Sequence, residues 1–111
     1  MRPIQCAAIL AASLLAAPMA HAGDPQLGKQ AAGACAACHG RDGIAMAPDA
    51  PNLAGQPESY LVEQFLAYRS GERAHEQMTL IAQSVDEAEI EDIAAYFAAI
   101  EITATVPDAL K

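Results

Sequence analysis

Two cysteines and a histidine stand together in the run Cys35-Ala36-Ala37-Cys38-His39. Thiols three positions apart lie about one helical turn from each other. At that separation they can add to the two vinyl groups of one porphyrin and form two thioethers. The adjoining His39 is then carried under the metal, where an imidazole nitrogen can act as an axial ligand. Cys-x-x-Cys-His is accordingly the attachment signature of a c-type haem. A bare Cys-x-x-Cys has two other readings, a dithiol redox pair and half of a zinc site. Zinc needs two more ligands, and beyond His39 the chain offers only His75 and carboxylates, with no second cysteine pair. The adjoining histidine therefore favours one covalent haem, held by Cys35 and Cys38 with His39 on its iron.

A second axial ligand must reach the other side of the ring. The candidates are Met46, His75 and Met78. Met46 is only seven residues past His39, so a short loop would have to round the porphyrin edge. Met78 comes 39 residues after His39, behind a whole helix, in a loop without strong helix signals, and its reach is comfortable. His75 is the rival in the same stretch. Methionine is a common core filler, so Met78 counts as a ligand only if the haem is present.

These residues sit behind a leader. Arg2 begins it, residues 4–17 are apolar and rich in alanine and leucine, and Ala20-His21-Ala22 is a small-x-small cleavage site. This is the form of a secretory signal peptide. Cleavage after Ala22 leaves residues 23–111 as the working domain, removes Cys6, and leaves two cysteines that one haem would consume. The apolar run is shorter than the roughly 20 residues that span a bilayer. In an oxidising compartment, two thiols without a haem would tend to pair as a disulfide.

The sequence carries a formal net charge of −8, and loss of Arg2 makes the remainder more acidic by one charge. That argues against nucleic acid and anionic membrane surfaces as partners. It suits docking to a basic or neutral protein surface, and equally it suits simple solubility.

The elements that must position the site are helical. Asp24 and Pro25 can cap and open a first helix, with Leu27, Gly28, Ala31 and Ala32 on its apolar face, running into the Cys35 turn. Residues 40–55, with Gly43, Pro48 and Pro51, predict a loop. Pro57 opens a second helix that ends at Ser70 and Gly71, and Tyr60, Leu61, Gln64, Phe65 and Tyr68 recur along it at helical spacing. Ser84 and Glu87 have the form of a capping box for a last helix whose stripe is Ile90, Ile93, Ala94, Phe97 and Ile100. The acidic residues of its first turns suit the helix dipole. No period-2 pattern of useful length appears, so the fold class is all-α: three main helices, plus loops, around the haem. A chain of this size buries a small core and usually needs a staple or cofactor.

With those residues in view, the chain resembles a class I c-type cytochrome of the small bacterial periplasmic sort, found singly or as one half of dihaem proteins. The resemblance rests on the helix and haem motif from Gly28 to His39, Pro51-Asn52-Leu53-Ala54-Gly55-Gln56, Tyr68-Arg69-Ser70-Gly71, Met78, and Ala94-Ala95-Tyr96-Phe97. It implies that His39 is the proximal ligand and Met78 the distal one. Pro51 is implied as the carbonyl acceptor for the other imidazole N–H, and Leu53 as a wall of the haem pocket. Gly28 and Ala32 are implied at the crossing of the first and last helices, near Tyr96 and Phe97. Arg73, Arg69 and Tyr68 are candidates for the propionates.

The function expected is single-electron transfer in the periplasm by a monohaem carrier, not an enzyme. Its partners would be a reductase or dehydrogenase and a terminal oxidase or similar acceptor, with no nucleic acid, no stable membrane insertion, and a monomeric or weakly dimeric state. Ala36, Ala37, Ile44 and Met46 are the candidate docking patch. The alternatives are a haem sensor or peroxidase-like enzyme with an open sixth position, and a haem-bearing subunit of a larger complex.

Overall fold

Among the described residues, regular structure begins at Pro25, capped by Asp24. Its carboxylate accepts from the N–H groups of Gln26 and Leu27 at 2.8 and 3.3 Å, and Pro25, with no N–H to satisfy, takes the first helical position. Helix α1 (Pro25–Ala31) tightens into a 3₁₀ turn (Ala32–Cys35) and continues as the short α2 (Ala36–His39). The computed structural model describes residues 22–111. The expected leader, apart from its final Ala22, lies outside the described residues.

The loop expected over residues 40–55 runs on to Pro57, and backbone bonds give it a fixed course. Met46 and Ala47 donate to the Cys38 carbonyl at 2.8 and 3.1 Å, and Leu53 and Ala54 donate to the Gly43 carbonyl at 2.8 and 3.1 Å. The N–H of Ala45 donates to Asn52 Oδ1 at 2.7 Å. Helix α3 (Glu58–Ser70) follows Pro57 and stops at Gly71, whose φ of +82° is a left-handed conformation that glycine adopts without a steric penalty.

Two expectations are corrected here. The stretch around Met78 is a helix, α4 (Glu76–Ser84), not a loop. Ser84 and Glu87 do not form a capping box. Ser84 lies in the last turn of α4 and donates to the Ile81 carbonyl at 2.9 Å. Asp86 instead caps α5 (Glu87–Ala98), accepting from the Ala88 N–H at 3.2 Å. Because α4 runs through Ser84, the cap moves two residues onward. Among the described residues all regular structure is helical, and no helix is long and apolar enough to cross a membrane.

The core is the crossing of α1 and α5. Gly28 is buried there, and a Cβ on it would lie 1.8 Å from the Asp92 carbonyl oxygen. The crossing point is thus Asp92 and Ile93, about one turn earlier than the expected Tyr96 and Phe97. Ala32 does reach Phe97, in a buried cluster with Cys35 and Ile93. Ile90, Ile93, Ala94 and Phe97 are all buried, as their spacing predicts, while Ile100 packs on the cluster from just past the end of α5. Leu27 is the exception on α1: it faces solvent, 52% exposed. The Asp24 N–H donates to Asp92 Oδ1 at 2.7 Å, and the Gly23 N–H to Glu58 Oε1 at 3.2 Å. These bonds tie the start of the domain to both α5 and α3.

Candidate functional site

Helices α2, α3, α4 and α5 and the 40–57 loop enclose an apolar slot. Its lining includes His39 from α2, Pro51, Leu53 and Gln56 from the loop, and Leu61, Phe65 and Tyr68 from α3. Met78 from α4 and Ile93, Ala94 and Phe97 from α5 complete it. The five residues whose periodicity marks α3 all face this slot: Tyr60, Leu61, Gln64, Phe65 and Tyr68. None of the thirteen residues of α3 is fully buried. A surface helix normally buries an apolar stripe against a partner, and here the stripe faces the slot.

His39 is buried, and its Nδ1 lies 2.9 Å from the Pro51 carbonyl oxygen. A carbonyl only accepts, so Nδ1 is the nitrogen that carries the proton. In the neutral ring the lone pair then belongs to Nε2. His39 therefore offers a ligating nitrogen from a ring whose orientation is fixed by the backbone.

The two thiols precede His39 on the same turn. Cys35 is buried and shares a cluster with Ile93 and Phe97, two residues of the slot's lining. Burial pushes its thiol up from the ordinary value of 9.0. Cys38 is half-buried. Neither thiol lines the slot itself, but both stand on the segment that delivers His39 to it. Among the described residues no three His, Cys, Asp or Glu side chains gather as a metal-ligand set.

Of the second-ligand candidates, Met78 lines the slot, and Met46 does not. Met46 is 75% exposed on the loop outside Cys38. His75 is exposed, and its Nδ1 accepts the Met78 N–H at 3.3 Å.

The propionate candidates separate. Tyr68 and Arg73 both line the slot; the Arg73 guanidinium lies 4.6 Å over the Tyr68 ring and donates to Gln64 Oε1 at 2.7 Å. Arg69 is engaged elsewhere, donating to the carbonyls of Ala82 and Val85 at 2.9 and 2.7 Å at the end of α4. Sequence reasoning did not single out Asn52 or Gln56 as lining residues. Both are polar loop residues, and nothing local marks which loop positions turn inward.

The residues fit a flat, apolar, metal-bearing group. The slot holds a void of about 170 Å³ and is partly open to solvent. Native interiors leave few voids larger than one water molecule, and the mainly apolar lining of this one suits an apolar occupant. A metal inside the group would meet an imidazole nitrogen and a thioether sulfur, and two thiols stand beside the imidazole for covalent attachment.

Comparison with known proteins agrees. A family profile described as Cytochrome c matches residues 25–101. Cytochrome c-554(548) of Halomonas halodenitrificans is 45% identical over 83 residues, which are 72% of this chain and all of that protein. Cytochrome c4 of Pseudomonas aeruginosa is 41% identical over 91 residues, 81% of this chain and 45% of the relative. The crystal structure of reduced recombinant cytochrome c4 from Pseudomonas stutzeri superposes with a TM-score of 0.70 at 35% identity, covering 79% of this chain and 51% of that one. The chain thus spans about half the length of the cytochromes c4 that it matches. Helix order, slot and signature converge on one assignment: this chain belongs to the cytochrome c family, whose domain holds haem c, and it has the all-α cytochrome c fold.

Proposed function

We propose that the chain is a single-electron carrier holding one haem c, bonded through Cys35 and Cys38 and ligated axially by His39 and Met78. One Cys-x-x-Cys-His signature supports one haem. The observation that carries the reading is the pairing of His39, its Nδ1 on the Pro51 carbonyl, with Met78 in the same apolar slot.

Haem c supplies reversible one-electron chemistry at its iron. The chain's own residues set the conditions. The Pro51 carbonyl fixes the His39 ring and makes its free nitrogen more basic. Met78 supplies the thioether that raises the reduction potential relative to a second imidazole. Leu53, Leu61, Phe65, Ile93 and Phe97 exclude water and disfavour added charge, which raises it further. His39 and Met78 would both hold the iron, so that small ligands would find no free coordination position. Helices packed through α1 and α5 keep those ligands in place in either oxidation state.

Residues 1–22 act as an export leader, so the domain of residues 23–111 works in the periplasm. Its partners are a donor reductase or dehydrogenase and an acceptor oxidase or similar protein. It works as a monomer or weak dimer, without stable membrane insertion. Partners dock at the apolar surface beside Cys38, where Ala37, Ile44 and Met46 are exposed. Charged substitutions there slow reduction by the partner and leave the visible spectrum unchanged.

Met78→Ala is the decisive test. The variant keeps its covalent haem, has a lower potential, and in its ferrous form binds carbon monoxide, which the parent resists. A variant with the parent's spectrum, potential and carbon monoxide response would remove Met78 from the iron. Rapid carbon monoxide binding by the parent itself would point instead to a sensor or peroxidase-like site.

A further inference from the structure

We propose that His75 is a positioning residue for Met78: it caps α4 and holds the turn that presents the thioether to the slot. The proposal rests on the assignment of Met78 as an axial ligand.

The first N–H groups of a helix have no partner within it, and His75 meets this need at α4. Its Nδ1 accepts the N–H of Met78, the third residue of the helix, at 3.3 Å. Its own N–H donates to Thr79 Oγ1 at 3.1 Å, and its carbonyl accepts the Thr79 N–H at 2.9 Å. One residue thus makes three bonds into the turn that carries Met78.

The partner also decides the tautomer. An amide N–H only donates, so Nδ1 of His75 must carry the lone pair and Nε2 the proton. His39 is the reverse, because its Nδ1 faces a carbonyl. The neutral imidazole of His75 therefore has no second lone pair for a metal while it caps the helix. The two histidines have opposite tautomers and opposite roles.

The rest of α4 shows why this end needs holding. Ala82 is its only buried residue. Arg69 fastens the same C-terminal end through the Ala82 and Val85 carbonyls. At the other end Glu76 and Gln77 are exposed and Met78 is half-buried. The His75 ring also meets the Tyr68 ring edge-on, with centroids 6.5 Å apart and planes at 74°. Tyr68 belongs to the α3 wall of the slot, so the cap joins the Met78 turn to that wall.

The test uses exported, haem-loaded protein in four forms: the parent, Met78→Ala, His75→Ala and His75→Asn. Asparagine is a strong N-cap whose Oδ1 can accept the same N–H. Carbon monoxide entry to the ferrous protein and the midpoint potential are measured for each. His75→Ala retains its haem, admits carbon monoxide about fivefold faster than the parent, the change expected for loss of one cap, and has a lower potential. His75→Asn recovers most of both properties. Parent-like behaviour of His75→Ala beside an opened Met78→Ala overturns the proposal and leaves the ligand assignment standing. Equal impairment in His75→Ala and His75→Asn also overturns it, because the imidazole rather than the cap would then be what matters. A parent-like Met78→Ala overturns both.

Discussion

Gly28→Ala adds a single methyl group to the α1–α5 crossing. Its Cβ would stand 1.8 Å from the Asp92 carbonyl oxygen, 2.4 Å from the carbonyl carbon and 2.9 Å from Ile93 N. All three are backbone atoms, so no side-chain rotation relieves the clash. To restore van der Waals contact the helices must part by roughly 1.5 Å. Alanine's better helix propensity returns about 1 kcal/mol. Overpacking a core costs about 1–3 kcal/mol. A gap of about 0.5–1 Å already forfeits a quarter to a half of a contact's dispersion energy. The parting here exceeds that gap, and it opens the cluster of Ala32, Cys35, Ile93 and Phe97. The cost therefore lies near the top of the overpacking range, about 3 kcal/mol, for a net loss of about 2 kcal/mol. In a domain of this size such a loss lowers Tm by about 8–16 °C.

Gly33 supplies the control, because a Cβ there has nothing within 4 Å. Gly33→Ala should stay within about 0.5 kcal/mol of the parent. The assay is thermal unfolding of the haem-loaded proteins, followed by circular dichroism. A Gly28→Ala protein melting within a few degrees of the parent would refute the crossing geometry. So would a Gly33→Ala protein that falls as far as Gly28→Ala.

Arg69→Ala removes the charge-assisted bonds to the Ala82 and Val85 carbonyls and should cost about 1.5–3 kcal/mol; the exposed Glu87, 3.9 Å away, contributes little, so Glu87→Gln melts like the parent. Cys38→Ala should leave at most one thioether and a reduced yield of holoprotein, read as intact mass and haem stain. In haem-free full-length chain, the raised Cys35 thiol favours the folded state below its ordinary value of 9.0, and that contribution is lost as pH rises through the folded value. Urea resistance should therefore fall at alkaline pH in this chain and not in its Cys35→Ala variant, and iodoacetamide should label Cys38 before Cys35.

What the sequence made legible was local. The haem signature is contiguous. Asp24-Pro25 and Gly71 punctuate helices through their own backbone chemistry, and the stripe of α5 follows from a 3.6-residue period. What stayed hidden depended on partners distant in sequence. The run Glu76-Gln77-Met78 and the Leu80-Ile81-Ala82-Gln83 that follows Thr79 are mostly strong helix formers, which was the available signal for α4. The segment lacks one of the usual capping residues at its start, because a histidine caps it. Its far end is held by Arg69 from another helix, a partner that the order of residues within α3 does not reveal. Ser84 and Glu87 satisfy the pattern of a capping box, yet tertiary support extends α4 through Ser84 and passes the role to Asp86. Gly28 was legible as a small position, but the residue it meets on α5 depends on how the two helices are docked.

Helix α3 ties the cofactor to the fold. Its thirteen residues include none that is fully buried, although Leu61, Phe65 and Tyr68 all face the slot. Full burial of a large apolar side chain contributes about 1.5–3 kcal/mol. These three are already half-buried, so filling the slot completes roughly half of that for each, or about 2–4 kcal/mol together. A small domain has a net stability of about 5–15 kcal/mol, so this share is large. The α1–α5 crossing has its own buried cluster of Ala32, Cys35, Ile93 and Phe97, on which Leu61 of α3 also packs. In contrast, α3 and the α4 helix packed on it lack a core of their own. The group that carries the electron therefore also helps to hold α3 and α4, and Met78 sits on that second unit. Loss of the haem should loosen the half of the fold that supplies the methionine, while the half that supplies the two cysteines and His39 stays anchored to α5.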